Sequence, residues 1–466
     1  MGVGILTTYA QIANLSGLHG LLVYTLSGAL PIVGFAAIGP IIRKKCPEGF
    51  ILTEWVRGRY GIVTALYVSF FTCLTMFLFM IGELSALRGA IETLTGINAL
   101  PVVIVECVVT SIYTAYGGFR VSFITDNFQG VLVLLLVIIC AAGMGSYIDI
   151  DPAMVGPSDL LKANKLGWQL LYILPVAITT NDCFLSGFWL RTFASKTDKD
   201  LWIGCSLASA VTFIICTLVG TTGFLAVWSG DLTVGDANGY NAFFVLLSKM
   251  PNWLLAFVII FICFLSTCTF DSLQSAMTST ISNDVFRNKL HINWVRLIVV
   301  IIIVPIIVLA IKVADNILQI YLIADLVSAA IIPSMFLGLS DRLFWFLQGF
   351  DVMVGGLGGL LAVFVFGAIY YDSAREGGKL LLVWNGIYDS EDWGAFGAFV
   401  VAPVFGIILT FVGCGVRLGA IWLYCKFKLQ PFTALDKPKS IDSDVISYGS
   451  TEIVDTISIE EDAKRA

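Results

Sequence analysis

Five carboxylate residues lie inside long apolar runs of this sequence or at their ends, where an ionised group is costly. They are Glu83, Glu106, Asp182, Asp271 and Asp325, and no lysine lies at the same depth in these runs. An ionisable group at the centre of a bilayer costs about 2.5–3.5 kcal/mol on insertion scales, so such groups are usually kept for a function. Carboxylates without a matching lysine favour the handling of a cation over internal ion pairing.

Three of these carboxylates also have simpler interpretations. Glu83 and Asp182 stand at the ends of apolar runs, so both are expected at the membrane interface, in contact with water. Glu106 is either part of the transport chemistry or a protonated group that packs against a neighbouring helix. Asp271 and Asp325 lie well inside their runs and are the stronger functional candidates.

Further polar groups surround Asp271 at helical spacing. Positions i, i+3, i+4 and i+7 share one face of a helix, and here that face carries Cys268, Asp271, Ser272 and Ser275. Hard oxygen ligands on a buried helix suit Na⁺ or a proton, and Thr269 offers another hydroxyl. The alternative is a close helix–helix interface, because small polar residues let helices approach each other in lipid.

The elements that must hold these groups are membrane-spanning helices. Of 466 residues, 58% are apolar and 13% are charged, and the mean hydropathy is +0.90. A soluble domain carries about twice that charged fraction. Runs of about 20 apolar residues cross a bilayer as helices, and these runs lack the alternation of barrel strands. The sequence predicts an all-α integral membrane protein with about twelve spans, near 2–18, 20–42, 61–82, 99–116, 127–147, 167–185, 202–228, 252–282, 293–312, 316–338, 350–371 and 395–425.

The distribution of basic residues predicts the orientation. If the first span runs from the cytosol outward, only seven of the 27 Lys and Arg residues lie outside, as the positive-inside rule requires. The segment 427–466, rich in Ser, Thr and acidic residues, is then a disordered cytosolic tail.

The net charge of −6 and the lack of a basic patch argue against a nucleic-acid partner. The expected partners are the lipid bilayer and a small solute, and the sequence gives no sign of the oligomeric state.

Patterns typical of enzymes and metal sites are missing from the sequence. The 11 cysteines are scattered without a Cys-x-x-Cys pair, and the two histidines, His19 and His291, are expected in interfacial loops. No His/Asp cluster, nucleophile elbow or phosphate-binding loop occurs, so neither an enzyme nor a cofactor beyond a coupling cation is expected. The glycosylation sequon at Asn14 lies at a helix end close to the membrane and is expected to be unoccupied.

One stretch between the fourth and fifth spans carries a recognisable motif. Residues 113–129 read Tyr-Thr-Ala-Tyr-Gly-Gly-Phe-Arg-Val-Ser-Phe-Ile-Thr-Asp-Asn-Phe-Gln, and this stretch resembles the sodium:solute symporter family at Gly117, Gly118, Thr125, Asp126 and Gln129. The glycine pair is expected to end one helix in a tight turn, and Thr125 or Asp126 to cap the next helix. Residues 53–61, 181–195 and 279–286 are also similar, and 53–61 is closest to the fungal and plant urea-transporter branch.

The resemblance implies a LeuT-type core of two inverted repeats of five helices each. The repeats would occupy residues 1–147 and 148–340, followed by two extra spans at 341–426. The resemblance also implies a Na⁺ site between the first and eighth helices, with ligands at Leu265, Cys268 and Thr269 of this sequence. A thiol is a poor Na⁺ ligand, so either Asp271 compensates for Cys268 or a proton replaces Na⁺ as the driving ion.

The sequence therefore predicts a secondary active transporter that couples the symport of a small polar solute to Na⁺ or H⁺. Urea or a related nitrogenous solute is the best guess, carried by alternating access around a midplane site. The candidate substrate residues are Thr7, Thr8 and Gln11 of the first span and Asp325 of the tenth. The plasma membrane is the expected location.

The beginning of the sequence leaves an alternative open. Aligned on Gly17, the first-helix carbonyls that complete the family's ion site would fall at Met1 or before it, so the first helix is expected either to be truncated or to belong to a relative that transports uncoupled. The alternative to a working symporter is therefore a transporter-derived nutrient receptor or an inactive shortened form.

Overall fold

Helices make up the regular structure of the described part of the chain. The computed structural model describes residues 2–47, 49, 51–312, 316–384, 386–387 and 391–437, without the side chains of residues 113 and 115–129. The predicted tail at 427–466 is therefore described only as far as residue 437. In chain order the α-helices are α1 (Val3–Lys45), α2 (Leu52–Tyr60), α3 (Ile62–Thr95), α4 (Leu100–Tyr147), α5 (Pro152–Val155), α6 (Lys165–Asp182), α7 (Ser186–Ala194), α8 (Asp198–Trp228), α9 (Ala242–Leu247), α10 (Asn252–Thr280), α11 (Ile292–Lys312), α12 (Ile317–Phe336), α13 (Asp341–Phe344), α14 (Gly349–Tyr370), α15 (Ala374–Leu381) and α16 (Gly394–Lys428).

The α1 element consists of two segments that fold back on each other at Gly17. The backbone of Gly17 has φ 58° and ψ −154°, a conformation that is essentially restricted to glycine. The rings of Tyr9 and Tyr24 stack with their centroids 4.0 Å apart, although a straight helix would separate these residues by about 22 Å. The fold-back lies where the first two predicted spans, 2–18 and 20–42, meet, and α1 contains both of them.

The α4 element also contacts its neighbour α10 in two different places. Thr114, in the first half of α4, donates a hydrogen bond of 2.8 Å to Asp271 in the later half of α10. Gly143, near the end of α4, packs against Leu254 at the start of α10. Thr114 and Gly143 of α4 thus contact the later half and the start of α10, respectively. The predicted turn and motif at Gly117, Gly118, Thr125, Asp126 and Gln129 lie outside the residues whose side chains are described.

The sixth predicted span is a broken helix. Helices α6 and α7 meet at an angle of 63° across residues 183–185. Pro175 does not break the span: it lies within α6, since neighbouring groups in a membrane protein can compensate for the amide that proline lacks. At the real break the indole of Trp189 donates a hydrogen bond of 2.8 Å to the Cys183 carbonyl, which satisfies one of the backbone groups freed there.

The outer surface of the helices is apolar, as a lipid environment requires. Ile138, Ile301 and Leu361 each expose about three fifths of their side chains, and such contiguous apolar exposure is typical of a protein that lies in a membrane. Among the described residues, nine helices are long and apolar enough to cross a membrane, or ten with the bent α6–α7 pair. The total of about twelve spans and the repeat boundaries at 147 and 340 stay predictions.

Candidate functional site

Three buried carboxylates and three tyrosines come together where α1, α3, α6 and α12 meet. This carboxylate–tyrosine cluster consists of Glu83, Asp182, Asp325, Tyr9, Tyr24 and Tyr321. Glu83 is 2% exposed and Asp182 is 8% exposed, so the expectation that both are solvated at the interface is wrong. Helix α3 continues for twelve residues beyond Glu83, and α6 ends inside the protein because its span is broken.

Asp182 and Asp325 are neighbours across the interface between α6 and α12. Their charges lie close enough to interact, and the hydroxyls of Thr180 and Ser328 lie 3.1 Å apart within a turn of them. No salt bridge between described residues involves either carboxylate. Two like charges buried together need a cation or a proton to compensate them. The negative end of the α6 dipole, at Asp182, favours a cation further.

Aromatic faces border this acidic pair. The stacked rings of Tyr9 and Tyr24 hold the two segments of α1 together. Tyr9 lies within electrostatic range of the Asp182 carboxylate, and Tyr24 lies within electrostatic range of the Asp325 carboxylate. A tyrosine ring presents a negative face, so an ammonium group beside these carboxylates would be stabilised by the rings as well.

Glu83 and Tyr321 form the other side of the cluster. The Glu83 carboxylate accepts backbone hydrogen bonds from Val3 at 2.6 Å and from Gly4 at 3.3 Å, which satisfies amides at the start of α1. Tyr321 lies within charge-interaction range of both Glu83 and Asp325. A Cβ atom at Gly4 would overlap the Tyr321 hydroxyl, so the absence of a side chain at Gly4 lets this ring reach the cluster.

The four predicted substrate residues lie at or near this cluster to different degrees. Asp325 is part of it, and Thr8 interacts with the Tyr24 hydroxyl. Thr7 and Thr8 both donate hydrogen bonds to the Gly4 carbonyl, at 2.7 and 3.0 Å. Gln11 is buried one turn further along α1. These side chains remain predicted substrate contacts.

The predicted ion ligands on α10 divide between two faces of the helix. Asp271 is fully buried and accepts the hydrogen bond from Thr114 of α4. Around the helix axis Thr269 lies about 160° and Leu265 about 120° from Asp271, whereas Cys268 lies about 60° from Asp271 and shares its face. The helix therefore places Cys268 with Asp271 and directs Thr269 to the opposite side. Among the described residues no group of three or more His, Cys, Asp or Glu side chains could hold a metal ion.

Sequence reasoning did not identify the tyrosines or Asn181. Aromatic residues in apolar runs resemble ordinary core residues, and only the small residues at Gly4, Gly28 and Gly82 hint that rings approach helix backbones there. Asn181 is 3% exposed, and its side-chain oxygen has no hydrogen-bond donor among the described residues. A buried oxygen that lacks a hydrogen-bond donor and lies next to Asp182 suits a ligand that carries N–H groups.

Comparison with known proteins gives one extensive match and several partial ones. The spermidine transporter DUR31 of Candida albicans is 75% identical over 454 residues, which cover 97% of this chain and 87% of that protein. The probable urea active transporter 1 of Schizosaccharomyces pombe is 29% identical over 133 residues, or 28% of this chain and 20% of that protein. No protein-family model matches the sequence.

Solved structures confirm the predicted LeuT-type fold. An outward-open Na⁺-coupled sialic acid symporter superimposes with a TM-score of 0.62 at 13% identity, covering 89% of this chain and 90% of that one. The inward-facing form of Mhp1 gives a TM-score of 0.54 at 13% identity, covering 96% and 92%. The sequence relatives are transporters, which agrees with the prediction that the protein is not an enzyme. With a relative 75% identical over nearly its whole length, the chain belongs to the sodium:solute symporter family of secondary transporters.

Proposed function

We propose that this protein carries a linear polyamine such as spermidine across the membrane, with the carboxylate–tyrosine cluster as its binding site. The observation that supports this most is the buried pair Asp182 and Asp325, which has no basic partner among the described residues. The spermidine transporter that matches 97% of the chain points to the same class of solute.

The chemistry of a polyamine matches the groups of the cluster. A linear polyamine carries several ammonium groups separated by methylene segments. Its ammonium groups would make charge-assisted hydrogen bonds to Asp182 and Asp325, and the Asn181 side-chain oxygen would accept another. The methylene segments would pack against the faces of Tyr9 and Tyr24, which also attract the cations.

Urea fits the same cluster less well. Urea is neutral, so it cannot compensate the charges of two adjacent buried carboxylates. The urea transporters among the relatives match only about a quarter of the chain. For this reason the proposal replaces urea, the solute that the sequence suggested, with a polycation.

Coupling in this proposal follows the scheme of the family. A driving cation, Na⁺ or H⁺, binds to the conformation that also binds the solute, so that the gradient of one moves the other. Thr269, on the side of α10 away from Asp271, is the proposed contact for Na⁺. The proposed location is the plasma membrane, with the C-terminal tail in the cytosol.

Uptake of labelled spermidine into cells that lack their own polyamine uptake tests the proposal. The uptake is expected to be saturable. Unlabelled spermidine is expected to inhibit it, and excess urea is not. Asp182→Asn and Asp325→Asn are each expected to weaken uptake at low spermidine at least tenfold, or about 1.4 kcal/mol of binding free energy. Urea uptake that spermidine does not inhibit would contradict the polyamine assignment.

Matched variants separate charge from folding. Glu83→Gln in the cluster is compared with Glu92→Gln on the same helix, because Glu92 is partly exposed and pairs with Arg88 at 2.9 Å. Glu83→Gln is expected to lower spermidine uptake, whereas Glu92→Gln leaves it close to normal. Absence of uptake by the unmodified protein at normal surface abundance would favour the receptor or the inactive form.

A further inference from the structure

Glu106 is a buried carboxylate that the cluster does not include. It lies on α4, 7% exposed, and faces the fully buried Ser266 of α10. The two side chains lie close together without hydrogen-bond geometry, and neither the two Glu106 oxygens nor the Ser266 hydroxyl has another partner among the described residues. Unsatisfied buried polar groups are rare and costly, so this pair needs an explanation.

The surroundings of Glu106 suit a proton better than a metal cation. Among the residues whose side chains are described, the titratable groups that interact electrostatically with Glu106 are Glu83 of α3, its chain neighbour Cys107 and Cys263 of α10. No described Lys, Arg or His forms an ion pair with it. A hard cation needs several oxygen ligands, and neutral thiols do not supply them. A single proton would remove the buried charge of Glu106, which no described basic residue compensates, and would let the carboxyl group donate to the Ser266 hydroxyl.

We propose that Glu106 is the proton-binding residue of the transport cycle. The bound proton stabilises the packing of α4 against α10 through Ser266. Release of that proton places a negative charge beside Glu83, and the repulsion favours a conformation in which α3, α4 and α10 separate. A ligand that binds one conformation more tightly shifts the equilibrium toward that conformation. The coupling to solute rests on the proposed transport function, whereas the protonation of Glu106 does not.

Two measurements on the purified protein in liposomes test this inference. The first is the infrared carbonyl stretch of protonated carboxylic acids, which needs no solute; Glu106→Gln is expected to remove one such band at neutral pH. The second compares spermidine exchange without a gradient with accumulation driven by an imposed proton gradient. Glu106→Gln is expected to keep exchange and to lose at least nine tenths of gradient-driven accumulation, because glutamine carries no exchangeable charge.

Thr110→Val is the matched control. Thr110 is buried one turn from Glu106, and among the described residues its hydroxyl donates to the Glu106 and Cys107 carbonyls of its own helix, at 2.7 and 3.1 Å. This variant is expected to keep exchange, gradient-driven accumulation and the infrared band.

Several outcomes would overturn the inference. An unchanged infrared spectrum in Glu106→Gln, or proton-driven accumulation at the normal level in that variant, contradicts it. If Glu106→Gln does not reach the membrane, Ser266→Ala is measured in its place. This variant removes the proposed acceptor of the Glu106 proton, so the carbonyl band of Glu106 is expected to shift. An unshifted band would contradict the inference. Absence of spermidine exchange by the unmodified protein would overturn the polyamine proposal alone, because the infrared measurement still decides whether Glu106 holds a proton.

Discussion

The Asp182 carboxylate lies within charge-interaction range of the Asp325 carboxylate, and each belongs to a helix that is anchored by a hydroxyl pair at the same interface. The Thr180 and Ser328 side chains that form this pair are 3.1 Å apart. One of the two hydroxyls donates to the other, and the one that accepts donates to a backbone carbonyl of its own helix, Val176 for Thr180 or Asp325 for Ser328. The helices α6 and α12 are therefore held together by neutral groups, while the two acidic groups beside them repel each other.

This arrangement predicts opposite effects of Asp182→Asn on stability and on ligand binding. Without ligand, the substitution removes the repulsion with Asp325, so the free energy of unfolding is expected to rise by about 0.5–2 kcal/mol. The same substitution removes an anionic contact for the ammonium groups, so the stabilisation by added spermidine is expected to fall sharply. Thermal unfolding of the detergent-solubilised protein with and without spermidine measures both effects. Full stabilisation of Asp182→Asn by spermidine would contradict the assignment of the site.

Some breaks in the helices could be predicted from the sequence and one could not. The fold-back at Gly17 is signalled by the polar residues and glycines of 14–20, and only glycine suits the observed backbone conformation. The break at 183–185 has no proline or glycine, whereas Pro175 lies undisturbed inside α6. Tertiary contacts such as the bond from Trp189 to the Cys183 carbonyl stabilise that break, and they involve residues whose proximity a sequence pattern does not reveal.

The candidate site was likewise predicted only in part. A carboxylate in an apolar run is conspicuous, so Asp325 was identified, and its partner Asp182 was noticed but placed at the interface. That error arose because hydropathy measures distance along the chain and cannot show that α6 ends within the protein. The tyrosines were missed because their role depends on which helix faces which, and this is set by packing at glycines rather than by spacing within one helix.

Gly28 and Tyr9 give a test of the packing behind the cluster. A Cβ atom at Gly28 would overlap the Tyr9 hydroxyl, and the next nearest atom, the ring carbon that bears this hydroxyl, is 3.7 Å away. Gly28→Ala is therefore expected to destabilise the protein by about 1–3 kcal/mol through overpacking. Tyr9→Phe removes the overlapping atom, so the double variant is expected to recover much of that loss. The free energies of unfolding of the four proteins form a double-mutant cycle, and additive effects would show that the two residues do not clash.

The ion pair between Asp351 of α14 and Arg417 of α16 is expected to matter for stability and not for solute selection. Asp351 is fully buried, and Arg417 donates two hydrogen bonds of 2.9 Å to its carboxylate and one of 2.7 Å to the Phe346 carbonyl. Arg417→Ala leaves a buried carboxylate without its partner, so a loss of about 3–5 kcal/mol is expected. Arg43→Ala is the control, because its partner Asp198 is mostly exposed and 3.5 Å away, and such pairs contribute about 0–1 kcal/mol.

Thermal unfolding and the amount of protein in the membrane measure these losses. The affinity for spermidine in the fraction of Arg417→Ala that folds is expected to be unchanged, because α14 and α16 contribute no residue to the carboxylate–tyrosine cluster. A loss as small as that of Arg43→Ala would contradict the structural role, and an altered preference among solutes would place α16 nearer the site than the structure shows.

Asn14 is expected to carry no glycan in spite of its sequon, because both ends of its side-chain amide are used inside the protein. Its Nδ2 donates to the Thr233 carbonyl at 2.9 Å, its Oδ1 accepts from the Asp236 amide at 3.0 Å, and the residue is fully buried. Treatment with an endoglycosidase is therefore expected to leave the mass unchanged. A mass shift that Asn14→Gln abolishes would contradict this burial.

The same contacts predict that Asn14 holds the loop at residues 229–241 against α1. Asn14→Ala removes the partners that Asn14 supplies to the Thr233 carbonyl and the Asp236 amide. Each group that stays buried without a partner costs about 1–3 kcal/mol. The loop is therefore expected to open, and its amide hydrogens are expected to exchange faster. Asn98→Ala is the control, because Asn98 is exposed and its side-chain oxygen accepts from Leu100 at the start of α4, far along the chain from this loop. Hydrogen exchange measured by mass spectrometry compares the two variants, and equal protection of the loop in both would show that Asn14 does not anchor it.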